Sequence, residues 1–324
     1  MKRNSHIFKT ITTMFACALM FSACLKESFY DCPESIRVYF NFDNRSGEDQ
    51  SKHIDRMNLY VFDRYGFFLY EYRDDAVEFS SDYYIDCSNL YPGSFRFIAW
   101  AGKDEDSYAT QPGTFVRYKT TYKEAFLMLN QMDDLITDVI HPLFYSAIPA
   151  TVTKTREQYF EMPLEIMTNT INIHTIGLPD DNNEYAFEIG DINSSYMFDG
   201  SLNLSNDLKT SESFKYVSPC DKDEKSQLYS TINILRLSIN RYSPQLQIYD
   251  QTTGRSLYPA NEGQTSNLID LIRRANPNND FEKTHTYDIV LNFGETDPTN
   301  PDDNGLIITI NGWEIREQDN NLYD

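Results

Sequence analysis

Histidine, cysteine and tryptophan are scarce in this chain, at five, five and two residues of 324. Beyond residue 23 only His53, His141, His174 and His285 remain, and they lie far apart. Clustered His and Cys ligands at zinc spacing are therefore missing, as is H-E-x-x-H. His174 falls inside an alternating strand pattern and His285 beside another, so both are expected to be structural. G-x-G-x-x-G, the phosphate-binding P-loop and G-x-S-x-G are absent too. Acids are so common that a carboxylate pair without a local motif means nothing. The densest acidic loop, "DPTNPDDNG" (297–305), has oxygen donors but no closing Glu and no flanking helices, so a solvated hairpin loop is expected. The chain is expected not to be an enzyme, with no catalytic residue, metal or cofactor.

Basic charge is also short. There are 28 Lys and Arg against 49 Asp and Glu, a net charge of −21. Such a surface repels nucleic acid and anionic lipid headgroups, so neither is expected as a partner. No stretch reaches the roughly 18 apolar residues that a spanning helix needs. The longest, "ITTMFACALMF" (11–21), has the length of a secretory h-region and follows Lys2, Arg3 and Lys9 with no acid before it. Ser22 and Ala23 then lead into Cys24, as in a bacterial lipobox, although Phe21 stands where Leu is usual. Cleavage is expected between Ala23 and Cys24, with Cys24 carrying acyl chains such as palmitate; two or three chains hold a protein stably on a membrane. The alternative is an ordinary secreted protein with Cys24 in a disulfide. Removing residues 1–23 would leave 25 basic against 49 acidic residues. Cys32, Cys87 and Cys220 would remain, enough for at most one intrachain pair.

Aromatics, by contrast, are plentiful, with 23 Tyr and 21 Phe. Strand-like segments recur between turns. "IRVYFNF" (36–42), "NLYVFD" (58–63) and "FFLYEY" (67–72) come first, with Gly66 of "DRYG" placed for a hairpin turn. "YYIDCSNL" (83–90) and "SFRFIAW" (94–100) follow; in the latter Phe95, Phe97 and Ala99 share one face. Tyr122, Phe126, Leu129 and Met132 repeat at helical spacing, which predicts a helix over 120–136. Strand patterns resume at 159–167, 169–178, 185–192, 232–239, 244–250, 286–293 and 306–315. A short helix over 266–276 is expected, with Ser266 as N-cap and Pro277 beyond its end. The predicted architecture is all-β with a few short helices, in two tandem sandwiches. Its parts are a signal peptide (1–23), a lipidated linker (24–35), an N-terminal sandwich (36–167), a C-terminal sandwich (168–316) and a polar tail (317–324).

Five stretches in order carry a family resemblance: "DCP" (31–33), "IDRMNLYVFDRYGFFL" (54–69), "LYPGSFRFIAWAG" (90–102), "INILRLSI" (232–239) and "ITINGWEI" (308–315). Behind a lipobox, this set resembles the lipoprotein anchor subunits of type V fimbriae, the minor-fimbria anchor family of Gram-negative anaerobes. The resemblance implies transthyretin-like sandwich domains, lipid attachment to the outer membrane with surface exposure, and a cell-proximal subunit that limits fimbrial length. Its partner would be the stalk subunit, a fimbrillin. In the resembled stalk subunits, cleavage at a basic residue removes the first strand and opens a groove for a foreign strand. Here the basic residue is Arg37, centred within the strand, so that strand is expected to stay and the groove to stay closed. A terminal strand carrying Leu306, Ile308, Ile310 and Trp313 is the candidate donor to the stalk; the other reading is that it merely closes the second sandwich. Trp100 and Trp313, both in predicted strands, are expected in the core. A surface glycan-binding lipoprotein and a tip or accessory adhesin are the alternative functions.

Cys24→Ala is expected to release the protein from the outer membrane and to abolish metabolic labelling with palmitate. Retained label or membrane retention of the variant would refute the lipobox.

Overall fold

The computed structural model describes residues 35–42, 51–130, 134–137, 139–178, 183–203, 214–222, 227–239, 244–259, 266–294 and 306–316. The lipobox, Cys32, the acidic loop 295–305 and the tail 317–324 lie outside them. Strands β1 (Ser35–Phe42), β2 (Met57–Asp63) and β3 (Phe68–Asp74) come first. β4 (Tyr84–Asp86) and β5 (Gly93–Ala101) precede three short strands, β6 (Tyr108–Gln111), β7 (Phe126–Leu129) and β8 (Leu135–Ile136). β9 (Phe144–Val152) and β10 (Glu157–Ile166) complete the first half.

Seven of these strands form one bent sheet in the order β3-β2-β5-β9-β10-β1-β4. The corner is β10: residues 157–164 run parallel to β1, whereas Glu165 and Ile166 pair antiparallel with β9. β3-β2-β5-β9 thus folds over β10-β1-β4 and closes a sandwich on one core. Alternation along β1 sends Ile36, Val38 and Phe40 into it. There they join Leu59, Phe97 and Met162, all buried, and Phe97 meets Phe160 edge to face at 5.4 Å. The hairpin turn expected between β2 and β3 is present. Asp63 accepts from the amides of Tyr65 (2.8 Å) and Phe67 (2.9 Å), and Gly66 sits at φ +91°. A Cβ there would lie 2.9 Å from the Tyr122 ring, so glycine is required twice over.

The second half contributes β11 (Thr168–Ile176), β12 (Tyr185–Asp191), β13 (Ser195–Met197), β14 (Phe214–Pro219), β15 (Asp221–Lys222) and β16 (Leu228–Leu235). β17 (Gln245–Asp250), β18 (Ser256–Tyr258), helix α1 (Leu268–Ala275), β19 (Thr286–Asn292), β20 (Ile307–Ile310) and β21 (Trp313–Arg316) follow. A six-stranded sheet, β15-β16-β11-β19-β20-β21, faces a five-stranded one, β18-β17-β12-β14-β8. Ile171, Phe187, Ile248 and Tyr287 belong to the core between them. The fold is all-β with one α-helix among the described residues. Its N-cap is Asn267, not the expected Ser266: the Asn267 side chain accepts from the amides of Ile269 (3.0 Å) and Asp270 (3.1 Å). Ser266 instead donates to Gln245 Oε1 at 2.8 Å.

The helix predicted over 120–136 does not form. Tyr122 and its neighbours turn, residues 126–129 are β7, and residues 135–136 are β8. Leu127 and Leu129 are buried while Phe126 and Met128 are half-buried, which is period two. β7 lies between β6 and β13, the latter from the second half of the chain, so no local pattern could announce its partners. β9 was also not expected, because Pro149 sits inside it. Once β10 has left for β1, β9 keeps only β5 as a partner, and a residue without an N–H is tolerated on that free side.

The two sandwiches are interleaved. The sheet β13-β7-β6 joins segments from both halves, and β8 pairs parallel with β14 of the second. Tyr60, Phe62 and Trp100 project from the other face of β2 and β5 into a single apolar cluster. That cluster runs through Leu127, Tyr196 and Phe198 to the second core. β2 and the end of β5 are accordingly buried on both faces.

Phe97→Ala should destabilise the protein by about 3–5 kcal/mol in a denaturant or thermal melt. An unchanged melt would show that this ring does not carry the first core.

Candidate assembly interface

The stretch 306–315 is a hairpin and not the single strand expected. β20 and β21 pair antiparallel with Ile310 opposite Trp313, Ile308 opposite Ile315 and Thr309 opposite Glu314. The turn is Asn311–Gly312, at φ 49° and 80°. Positive φ at both central residues is what a two-residue type I′ turn needs, and Asn-Gly is its strongest sequence signal. That signal was available and was overridden by the unbroken apolar pattern around it. Asn311 also ties the turn to β19. Its amide donates to Asp288 O (2.9 Å), its side-chain oxygen accepts from Asp288 N (2.7 Å), and its Nδ2 donates to Thr286 O (3.3 Å).

Of the four candidate donor residues, Ile308 and Ile310 are buried and Leu306 packs half-buried against the same core. Trp313 is 58% exposed, which corrects the expectation that both tryptophans are core. The physical reason is its place at the turn end of β21, the last strand of the six-stranded sheet: it shares a face with buried Ile315 but stands next to the Asn311–Gly312 turn, where it stays exposed. β20 has partners on both sides, β19 and β21. An edge strand such as β21 offers N–H and C=O groups to a further strand. Helix α1 packs beneath β20 and β21, with Leu268, Leu271 and Ile272 buried. In the neighbouring β19, burial pushes the Tyr287 hydroxyl up to about 12 against the lowering effect of the Asn279 amide, 3.0 Å away.

At the other end, β1 is flanked by β10 and β4. Arg37 points outward, its guanidinium carbon 5.1 Å from the centre of the Tyr84 ring. Trp100, as expected, is fully buried, with Tyr145 4.7 Å and Phe198 6.2 Å from it ring to ring. Cys87 and Cys220 are not joined to each other. Burial pushes the Cys87 thiol up to about 12, so it stays protonated and unreactive. His174 lies in β11 with Nε2 3.1 Å from Gln227 Oε1, a structural contact. Among the described residues no group of three or more His, Cys, Asp or Glu is placed to hold a metal ion. No helix among them is long and apolar enough to cross a membrane.

The family model of fimbrillin-A associated anchor proteins Mfa1 and Mfa2 matches residues 29–319, nearly the whole chain. The chain belongs to this anchor family. The major fimbrium anchoring subunit FimB of Porphyromonas gingivalis is 24% identical over 167 residues, 48% of this chain and 51% of FimB. The chain thus matches about half the length of that curated relative. In fold, the fimbrial anchor protein Mfa2 of Porphyromonas gingivalis aligns with a TM-score of 0.69 at 20% identity, covering 89% of this chain and 100% of that one. A Bacteroides thetaiotaomicron protein provisionally described as polysaccharide-binding aligns at 0.68 and 22% identity, over 90% and 99% of the two chains. At such identities these likenesses speak for the fold alone.

Ile310→Ala should cost about 2–5 kcal/mol, whereas Trp313→Ala should change stability by no more than about 0.5 kcal/mol. Equal losses in denaturant melts would put the Trp313 ring in the core and remove it from any contact surface.

Proposed function

We propose that this member of the anchor family is the cell-proximal subunit of a fimbrium. It is held on the outer membrane by lipid at Cys24, faces the outside, and limits fimbrial length by capping the stalk at its base. Two sandwiches, over residues 36–167 and 168–316, divide the work. In the first, the β1 position is not vacant, because β1 is paired on both flanks and Ile36, Val38 and Phe40 fill its core. The second contacts the first stalk subunit through the terminal hairpin, by main-chain pairing along β21 or by release of Leu306, Ile308, Ile310 and Trp313 into the stalk's groove.

The observation that carries this reading is the contrast between the two ends. Extracting β1 would break two ladders and empty a core, whereas β21 lies at a sheet edge and has one ladder, to β20. Strand pairing along the β21 edge is therefore the less costly route, and a subunit that offers such an edge but accepts no strand at the β1 position would end the polymer.

Paired cysteines test it. Trp313→Cys in this chain and a cysteine in the groove of the stalk subunit should form a disulfide on intact cells. Fimbriae that remain attached with no such cross-link would exclude the hairpin as the contact.

A further inference from the structure

Residues 107–123 contain no Asp or Glu in a chain of net charge −21, and they carry Arg117, Lys119 and Lys123. The fold lays the end of this segment along the outer side of β3. Tyr118 N donates to Phe68 O (2.9 Å), Phe68 N donates to Thr120 O (2.8 Å), and Phe67 bridges antiparallel to Thr121. The Arg117 guanidinium carbon is 4.5 Å from the Tyr70 ring centre and 4.8 Å from that of Tyr118. In the adjoining β2–β3 turn Arg64 lies 4.6 Å over Tyr65. Tyr65 and Tyr118 are 68% and 60% exposed. Among the described residues none of Arg64, Arg117 and Lys119 forms an ion pair with a carboxylate. Tyr118 is moreover held at φ 60°, a conformation bulky L-residues rarely adopt, and such a residue marks a place where position matters more than local preference.

We propose that this face binds an anionic polysaccharide, with Tyr65 and Tyr118 stacking on sugar rings and Arg64, Arg117 and Lys119 meeting its carboxylates or sulfates. Unneutralised cations on an otherwise acidic protein select an anionic partner over a neutral glycan. Among the described residues Val116 and Phe67, 46% and 37% exposed, are the patch's only exposed purely apolar side chains, too few to form the apolar centre that a docked protein needs. Alternating rings and guanidinium groups instead suit a polymer that is thin, charged and repeating: each guanidinium covers one face of its tyrosine and spends one N–H on a tyrosine hydroxyl, and the exposed rings and further donors are shared by the same strip. The site is independent of the terminal hairpin and of the anchoring reading.

Affinity electrophoresis of the full-length chain in gels containing polygalacturonate, with dextran gels as the neutral comparison, tests this. Polygalacturonate should retard the protein in a salt-sensitive way and dextran should not. Arg117→Ala and Tyr118→Ala should each weaken retention by about tenfold. Arg117→Lys should keep part of it, and Tyr229→Ala, an exposed ring elsewhere, should keep all of it. Circular dichroism confirms that each variant is folded. No retardation by polygalacturonate would overturn the proposal, as would full retention in the Tyr118→Ala variant, which would reduce the patch to plain ion exchange. Competition by polyglutamate as strong as by free polygalacturonate would also overturn it, in favour of an acidic protein partner.

Discussion

The rest of this molecule depends on β2 and the end of β5 being buried on both faces. From Phe97 to Ala101 the side chains of β5 alternate between two apolar layers. Phe97 and Ala99 face the first core, while Ile98 and Trp100 face the cluster shared with the second half. Sliding such a strand by one residue would not expose it to water, so hydrophobicity alone cannot fix its register. Shape does. Trp100 has Tyr145, Tyr196 and Phe198 around it, while Ala99 and Ala101 leave room for Phe144 on the opposite side. A slip would drive the indole into the space of an alanine, and close-packed interiors do not absorb that change. The fit is bought with one polar loss, since Trp100 Nε1 is buried without a hydrogen-bond partner among the described residues.

The same layer makes the two halves mechanically one. Packing alone would let the sandwiches part along an apolar seam. Here β13 crosses to pair with β7, and β8 crosses the other way to pair with β14, so parting them breaks main-chain ladders as well. Gly200 belongs to this arrangement, because a Cβ there would lie 2.4 Å from the Tyr145 ring. For a protein of a fimbrial anchor family this has a physical meaning. In the anchoring role proposed above, force along a filament would be met by hydrogen bonds and a shared core.

Legibility in the sequence followed the range of the interactions. Strands that alternate against water on one side, such as β1, β17 and β19, were readable from period two. The β2–β3 turn was readable because Asp63 and Gly66 act within four residues of each other. β7 was misread as helix because Tyr122, Phe126 and Leu129 happen to fall at helical spacing, while its real partners are remote in the chain. β9 hid behind Pro149, whose harmlessness depends on where β10 turns away. At the carboxyl end the apolar residues of 306–315 were found, but their division into two strands rests on the left-handed conformations of Asn311 and Gly312. Trp313 was misplaced for the same reason, since the turn moves it from mid-strand to a sheet edge. The aromatic and basic face beside β3 was invisible, as Arg64 and Arg117 come together only through the ladder between residues 67 and 121.

The two chain ends are unequal in a way that sets direction. β1 is internal to its sheet although it comes first among the described strands, and its apolar residues complete the core. β21 comes last and lies at an edge, with a fully paired strand between it and the body of the sheet. A fold in which the early strand is locked and the late hairpin is peripheral would offer a pairing edge at β21 rather than at β1. The capping role proposed above draws on this asymmetry between β1 and β21.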